Sequence, residues 1–175
     1  PTFVYYSNYG NIDSEIYLPH VIQNLSRTDI SGIAATKART LKILFDFIKL
    51  SPQEILDLGY DSNTLQDQQQ IAELAKKKEE RQILLDSASS DLTKKFKNWW
   101  KQGDYKFSLK ADGNFFKIWV SDSLREEQIS LENRSTGLQW FLSFYLTFLV
   151  ETREALKGSI LLLDEAGLSL HPLAQ

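Results

Sequence analysis

Cysteine and methionine are both absent from this 175-residue chain. Without cysteine there is no disulfide framework and no thiolate metal site, which fits a reducing, cytoplasmic setting. Without methionine, and with Pro1 as its first residue, the chain reads as an internal piece of a longer polypeptide. Glycine is scarce, eight in all, and none is followed by Lys-Ser or Lys-Thr. The phosphate-cradling loop G-x-x-x-x-G-K-[ST] is therefore missing from this stretch; Lys157-Gly158-Ser159 carries the order reversed. The two histidines, His20 and His171, lack any spacing that would make a shared metal site. No apolar run is long. Residues 140–150, WFLSFYLTFLV, reach about half of the ~20 needed to cross a bilayer, and nothing at the start reads as a secretion signal. A net charge of −3 gives no support to a nucleic-acid coat, while leaving room for a local basic face.

What is present belongs to a folded protein: 42% hydrophobic and 25% charged residues, enough for one ordinary core. FVYYS at residues 3–7 reads as a short strand. Turn chemistry follows in SNYGNIDS, and residues 17–26 read as a short helix entered through Pro19. Leu41, Leu44, Phe45 and Ile48 make one apolar helical face within residues 36–50. Ser51-Pro52-Gln53-Glu54 then carries an N-cap, a first-turn proline and a capping-box glutamate, with a short helix ending near Gly59. Residues 65–101 are polar and helix-forming, and Leu85, Ala88, Leu92, Phe96 and Trp99 recur at helical spacing. This predicts one long helix or two in series, a projecting arm more than a core. Around Asp112-Gly113, residues 105–110 and 114–122 alternate as a hairpin does. A helix over residues 137–156 and a buried strand at 160–163 complete the chain.

That last strand stops on two acids, Asp164 and Glu165. Four aliphatics bounded by Gly158-Ser159 and an acid pair suit a central parallel strand covered on both faces. In such sheets ligands sit beyond the carboxyl ends of the strands. Successive side chains leave a strand in opposite directions, so one acid can serve a metal or its waters and the other an attacking water. Mg²⁺ prefers carboxylate oxygen and keeps most of its waters. Upstream, Ser135, Thr136 and Gly137 stand just ahead of an apolar helix. A helix N-terminus offers open N–H groups and partial positive charge to phosphate. The plain alternative is that Ser135 or Thr136 only caps the helix.

In this order, NRSTGLQ, a helix, then ILLLDEAGLSLHP resembles the signature motif, Walker B strand and D-loop of an ABC-type ATPase of the SMC/RecF/OLD-like AAA branch. The likeness covers residues 131–175. It implies an α/β, helix-rich fold: a partial P-loop NTPase lobe with a long helical arm and a β-hairpin. Residues 1–35 would end an N-terminal lobe or connect to it, 36–104 would form the helical arm, and 105–175 the hairpin, signature helix and Walker B strand. By resemblance, Asp164 acts on Mg²⁺ through water, and Glu165 is the base or orienter of the attacking water. Ser135, Thr136 and Gly137 contact the nucleotide of a partner subunit, and Ser169 and His171 lie in the D-loop at a dimer seam. ATP and Mg²⁺ are the implied ligands, in a homodimer that sandwiches ATP and acts on DNA in repair, maintenance or phage defence. Ala166 replaces the usual proline and Thr136 the first signature glycine. With no Walker A segment, the chain by itself is expected to be inactive.

Other features carry less. Lys94, Lys95, Lys97 and Lys101 interleave with Phe96, Trp99 and Trp100, a pattern that can touch nucleic acid but equally suits a helix with one buried aromatic side. Lys76–Lys78 followed by Glu79-Glu80 reads as a solvated face. Asp13 and Glu15 lie in turn chemistry. Two other readings compete with the enzyme: a nucleotide-gated scaffold module with little turnover, and a plain helical interaction domain.

Overall fold

A computed structural model of the chain describes residues 2–7, 10–59, 68–101, 103–152 and 159–164. It is mixed α/β and helix-rich, with strands β1 (Thr2–Ser7), β2 (Glu15–Tyr17), β3 (Tyr105–Asp112), β4 (Phe115–Asp122), β5 (Ile129–Ser130) and β6 (Ser159–Asp164). The helices are α1 (Leu18–Leu25), α2 (Gly32–Ile48), α3 (Pro52–Asp57), α4 (Gln68–Trp99), α5 (Leu131–Arg134) and α6 (Thr136–Thr152). Among the described residues no helix is long and apolar enough to cross a membrane.

The hairpin falls where alternation placed it. β3 and β4 pair antiparallel from Tyr105 with Asp122 to Asp112 with Phe115, and Gly113 takes the positive φ (53°) of the turn. β2 and β5 add to β4. Phe107, Leu109, Phe116, Ile118 and Val120 bury one face of this sheet against α2, α4 and α6 in one continuous core. Phe96 sits at its centre, edge-on to Phe107 at 5.0 Å and to Tyr145 at 5.5 Å.

Helix α4 serves two purposes along its length. Residues 68–80 are exposed apart from half-buried Leu74, whereas Leu85, Leu92 and Phe96 are buried. Its hydroxyls also finish the sheet. Among the described residues β3 pairs on one side, and its outward N–H groups at Leu109 and Phe107 donate to Ser89 Oγ (2.8 Å) and Thr93 Oγ1 (2.9 Å). Ser89 and Thr93, four apart on the helix, thus match residues two apart on the strand. An edge that would otherwise template aggregation is closed.

β1 and β6 form a separate parallel pair, in register from Thr2 with Ser159 to Ser7 with Asp164. Val4 and Tyr6 are buried under α6, where Tyr6 meets the Trp140 and Phe144 rings edge-on at 5.6 and 5.7 Å. The expectation of a strand covered on both faces is corrected for β6. Its residues Ile160 to Leu163 are each 38–47% exposed. The reason is the packing: among the described residues β1 is its one strand neighbour and the one element packed closely against it, so its faces are left uncovered.

Candidate active site

The polar turn ahead of α6 is held by both of its ends. Ser135 lies between α5 and α6 in extended backbone (φ −174°, ψ 129°). Its Oγ accepts the Leu138 N–H at 3.3 Å and its carbonyl accepts the Gln139 N–H at 3.1 Å. Ser135 is therefore the N-cap of α6, satisfying one of the helix's open donors. It remains exposed, as does Thr136, while Gly137 is half-buried and the first turn of α6 holds no acid. The capping role and an accessible helix N-terminus coexist in the same residues.

Contacts from Arg134, Glu132, Gln139 and Ser143 pin this turn and its helix to the rest of the chain. Arg134 donates to Asp122 Oδ2 and lies over the Tyr105 ring, 5.8 Å from its centroid. Glu132 Oε1 accepts the Ser14 N–H at 2.9 Å. Gln139 Nε2 donates to the Ile12 carbonyl at 2.8 Å, and the Ile12 N–H donates to Ser143 Oγ at 2.9 Å. Both polar groups of the buried Ile12 backbone thereby find partners on α6 across more than 120 residues. Next to them, burial pushes the Tyr6 phenol above its usual range, so it stays a neutral donor, to Asn11 Oδ1 at 2.8 Å.

At the other stretch, Asp164 ends β6 opposite Ser7 of β1. Strand alternation places Asp164 on the face of Phe3 and Tyr5, away from Tyr6 and α6. Its Oδ2 accepts the Tyr5 hydroxyl at 3.0 Å, and no described residue forms an ion pair with it. Asp164 is thus an anion at the carboxyl end of a parallel strand on an open face. Glu165, Ser169 and His171 lie outside the described residues.

Among the described residues no group of three or more His, Asp or Glu could hold a metal by itself. Mg²⁺ does not need one, since it is held by one or two carboxylates together with phosphate oxygens and water. A single exposed aspartate with one oxygen free of described partners fits that donor set. Two surface cavities, of about 340 and 380 Å³, are lined around Asp13, His20 and Lys37 and around Lys42, Phe45 and Lys49. No residue of either stretch lines them. No family model, curated protein or solved structure matches the chain.

The basic and aromatic residues of α4 and the two that follow it make contacts within the fold while the lysines stay at the surface. Lys95 pairs with Asp91 at 2.9 Å and lies over the Phe47 ring, and Lys97 pairs with Asp104 at 2.6 Å. Trp99 and Trp100 pack on Tyr145 and Phe141 at 4.8 and 4.4 Å. Of the aromatic residues of this segment Phe96 is buried, Trp100 is half-buried and Trp99 stays 39% exposed. Tyr5 is the site residue that sequence reasoning missed, because only the β1–β6 pairing brings it to Asp164.

Proposed function

We propose that this chain is the signature and Walker B portion of an ABC-type ATPase that binds and hydrolyses ATP with Mg²⁺. The phosphate loop would come from residues outside this sequence, and the signature turn from a twin subunit. The supporting observation is the placement of Asp164: a carboxylate with no counter-charge among the described residues, at the carboxyl end of a parallel strand, where α/β sheets bind ligands. The exposed N-terminus of α6, with Ser135 and Thr136 on it, supplies the second half.

In this reading Asp164 holds the ion's water shell in place. Glu165 positions the attacking water and takes its proton. Ser135, Thr136 and Gly137 offer hydroxyl and N–H donors to the γ-phosphate of the partner's nucleotide, with Ser169 and His171 at the seam. Bound Mg²⁺ would supply neutralisation of the charge spread over the transferred phosphoryl group. DNA as the object of the work and the cytoplasm as its place belong to the same proposal; an arm that holds a protein partner belongs to the scaffold reading.

The test is ATP turnover by the intact polypeptide that contains this chain. Glu165→Gln is expected to keep ATP binding, trap a dimer and abolish hydrolysis. An unchanged rate removes Glu165 from the mechanism. Tight binding with negligible turnover in the unaltered protein favours the nucleotide-gated scaffold instead.

A further inference from the structure

The Tyr5–Asp164 contact joins residues 159 positions apart, and its geometry is set by the strand register. In the parallel pair Tyr5 lies opposite Leu162. Asp164 is therefore two residues further along β6, on the same face, about 6.6 Å away along the strand. A side chain must reach that far and end in a donor to touch the carboxylate. Phe3, one step back on this face, has no donor. Ser7, directly opposite Asp164, is short and buried. Tyrosine meets both requirements, and its ring stays 46% exposed on the open face to do so.

The chemistry of the donor matters as much as its reach. A lysine or arginine in this place would fix Asp164 but cancel its charge. The phenol is neutral at physiological pH. It occupies Oδ2, orients the carboxylate plane, leaves Oδ1 free of described partners and does not cancel the carboxylate's charge. Carboxylates that serve metals are held in this manner by outer partners, whose loss typically weakens metal binding by about 10–100-fold.

We propose that Tyr5 is a positioning residue for Asp164, holding the carboxylate by one oxygen so that the other is presented to a magnesium-bound nucleotide. This rests on the ATPase reading above, and the experiment separates the two. Binding of ATP to the intact polypeptide is measured by titration calorimetry with excess Mg²⁺ and again with EDTA, for the parent, Tyr5→Phe, Asp164→Asn and the double variant. Tyr5→Phe is expected to weaken binding in Mg²⁺ about tenfold and to leave binding in EDTA within about twofold. Asp164→Asn should lose the magnesium-dependent gain, and adding Tyr5→Phe to it should change nothing more. If Asp164→Asn loses that gain while Tyr5→Phe alters neither affinity, or both equally, the role of Tyr5 is overturned and the ATPase reading stands. If Asp164→Asn keeps the gain, or the parent binds no ATP, both fall together.

Discussion

Removing the carboxylate of Asp122 tests how the polar turn ahead of α6 is held. Its side chain is 8% exposed and that of Arg134 is 18% exposed. Oδ2 takes the guanidinium, while Oδ1 accepts the N–H groups of Leu124 at 3.0 Å and Arg125 at 2.7 Å. Asp122→Ala leaves the guanidinium without its counter-charge, and orphaning one partner of a buried pair costs about 3–5 kcal/mol. The two amides add little, because Leu124 is 92% exposed and water can reach that loop. Arg134 retains a partial path to solvent, which favours the lower end, about 3 kcal/mol. For a chain of this size that is a loss of roughly 6–12 °C in melting temperature. Hydrogen exchange at Ser135 and Leu138 should quicken in step, because α5 loses its tie to β4. Replacing both partners, Asp122→Leu with Arg134→Met, removes the orphan and should recover most of the loss. The reasoning is refuted if Asp122→Ala melts within 2 °C of the parent in a thermal scan (a margin well below the loss expected from), or if the double variant is no more stable than the single.

Two further outcomes can be measured on the same chain. Ser89→Ala strips the acceptor from the buried Leu109 N–H, which should cost about 1–3 kcal/mol in urea unfolding; a stability unchanged within error would mean that another group closes the β3 edge. The Arg27 guanidinium, hydrogen-bonded to Asp29, holds that carboxylate at about 2. A carboxylate depressed in the folded state favours folding above its unfolded value, and that contribution disappears as pH falls from about 4 to about 2. A carbon-detected NMR titration should place the Asp29 midpoint in that range, returning to the ordinary aspartate value in Arg27→Gln.

What could be read from the sequence is what a short window encodes. Leu41, Leu44, Phe45 and Ile48 share one face, and α2 runs from Gly32 to Ile48. Ser51 accepts the Glu54 N–H at 3.0 Å, as the capping box requires. The hairpin turns at Gly113-Asn114, one residue beyond the expected Asp112-Gly113, because Asp112 still pairs with Phe115. β2 was hidden, because three residues of Glu15–Tyr17 are strand only by virtue of β4 beside them. The serines and threonine of α4 and α6 gave no signal either. A hydroxyl on a helix reads as a weak helix former, and its partner, a strand edge or the Ile12 backbone, is assigned only by tertiary packing.

The candidate site divides along the same line. Asp164 and Ser135 were found because the order of residues around each is local. What relates the two in space is not local. Ser135 caps α6; α6 buries Trp140 and Phe144 against Tyr6 of β1; and β1 sets the register of β6 and hence the position of Asp164. The turn and the acid are therefore joined by a helix and a strand, elements that transmit position with little slack. On β1 the alternation divides the work, since Tyr6 faces inward to grip the helix and Tyr5 faces outward to grip the acid. In FVYYS these are two adjacent tyrosines of one apolar run, and only the strand's two-residue period gives them opposite duties.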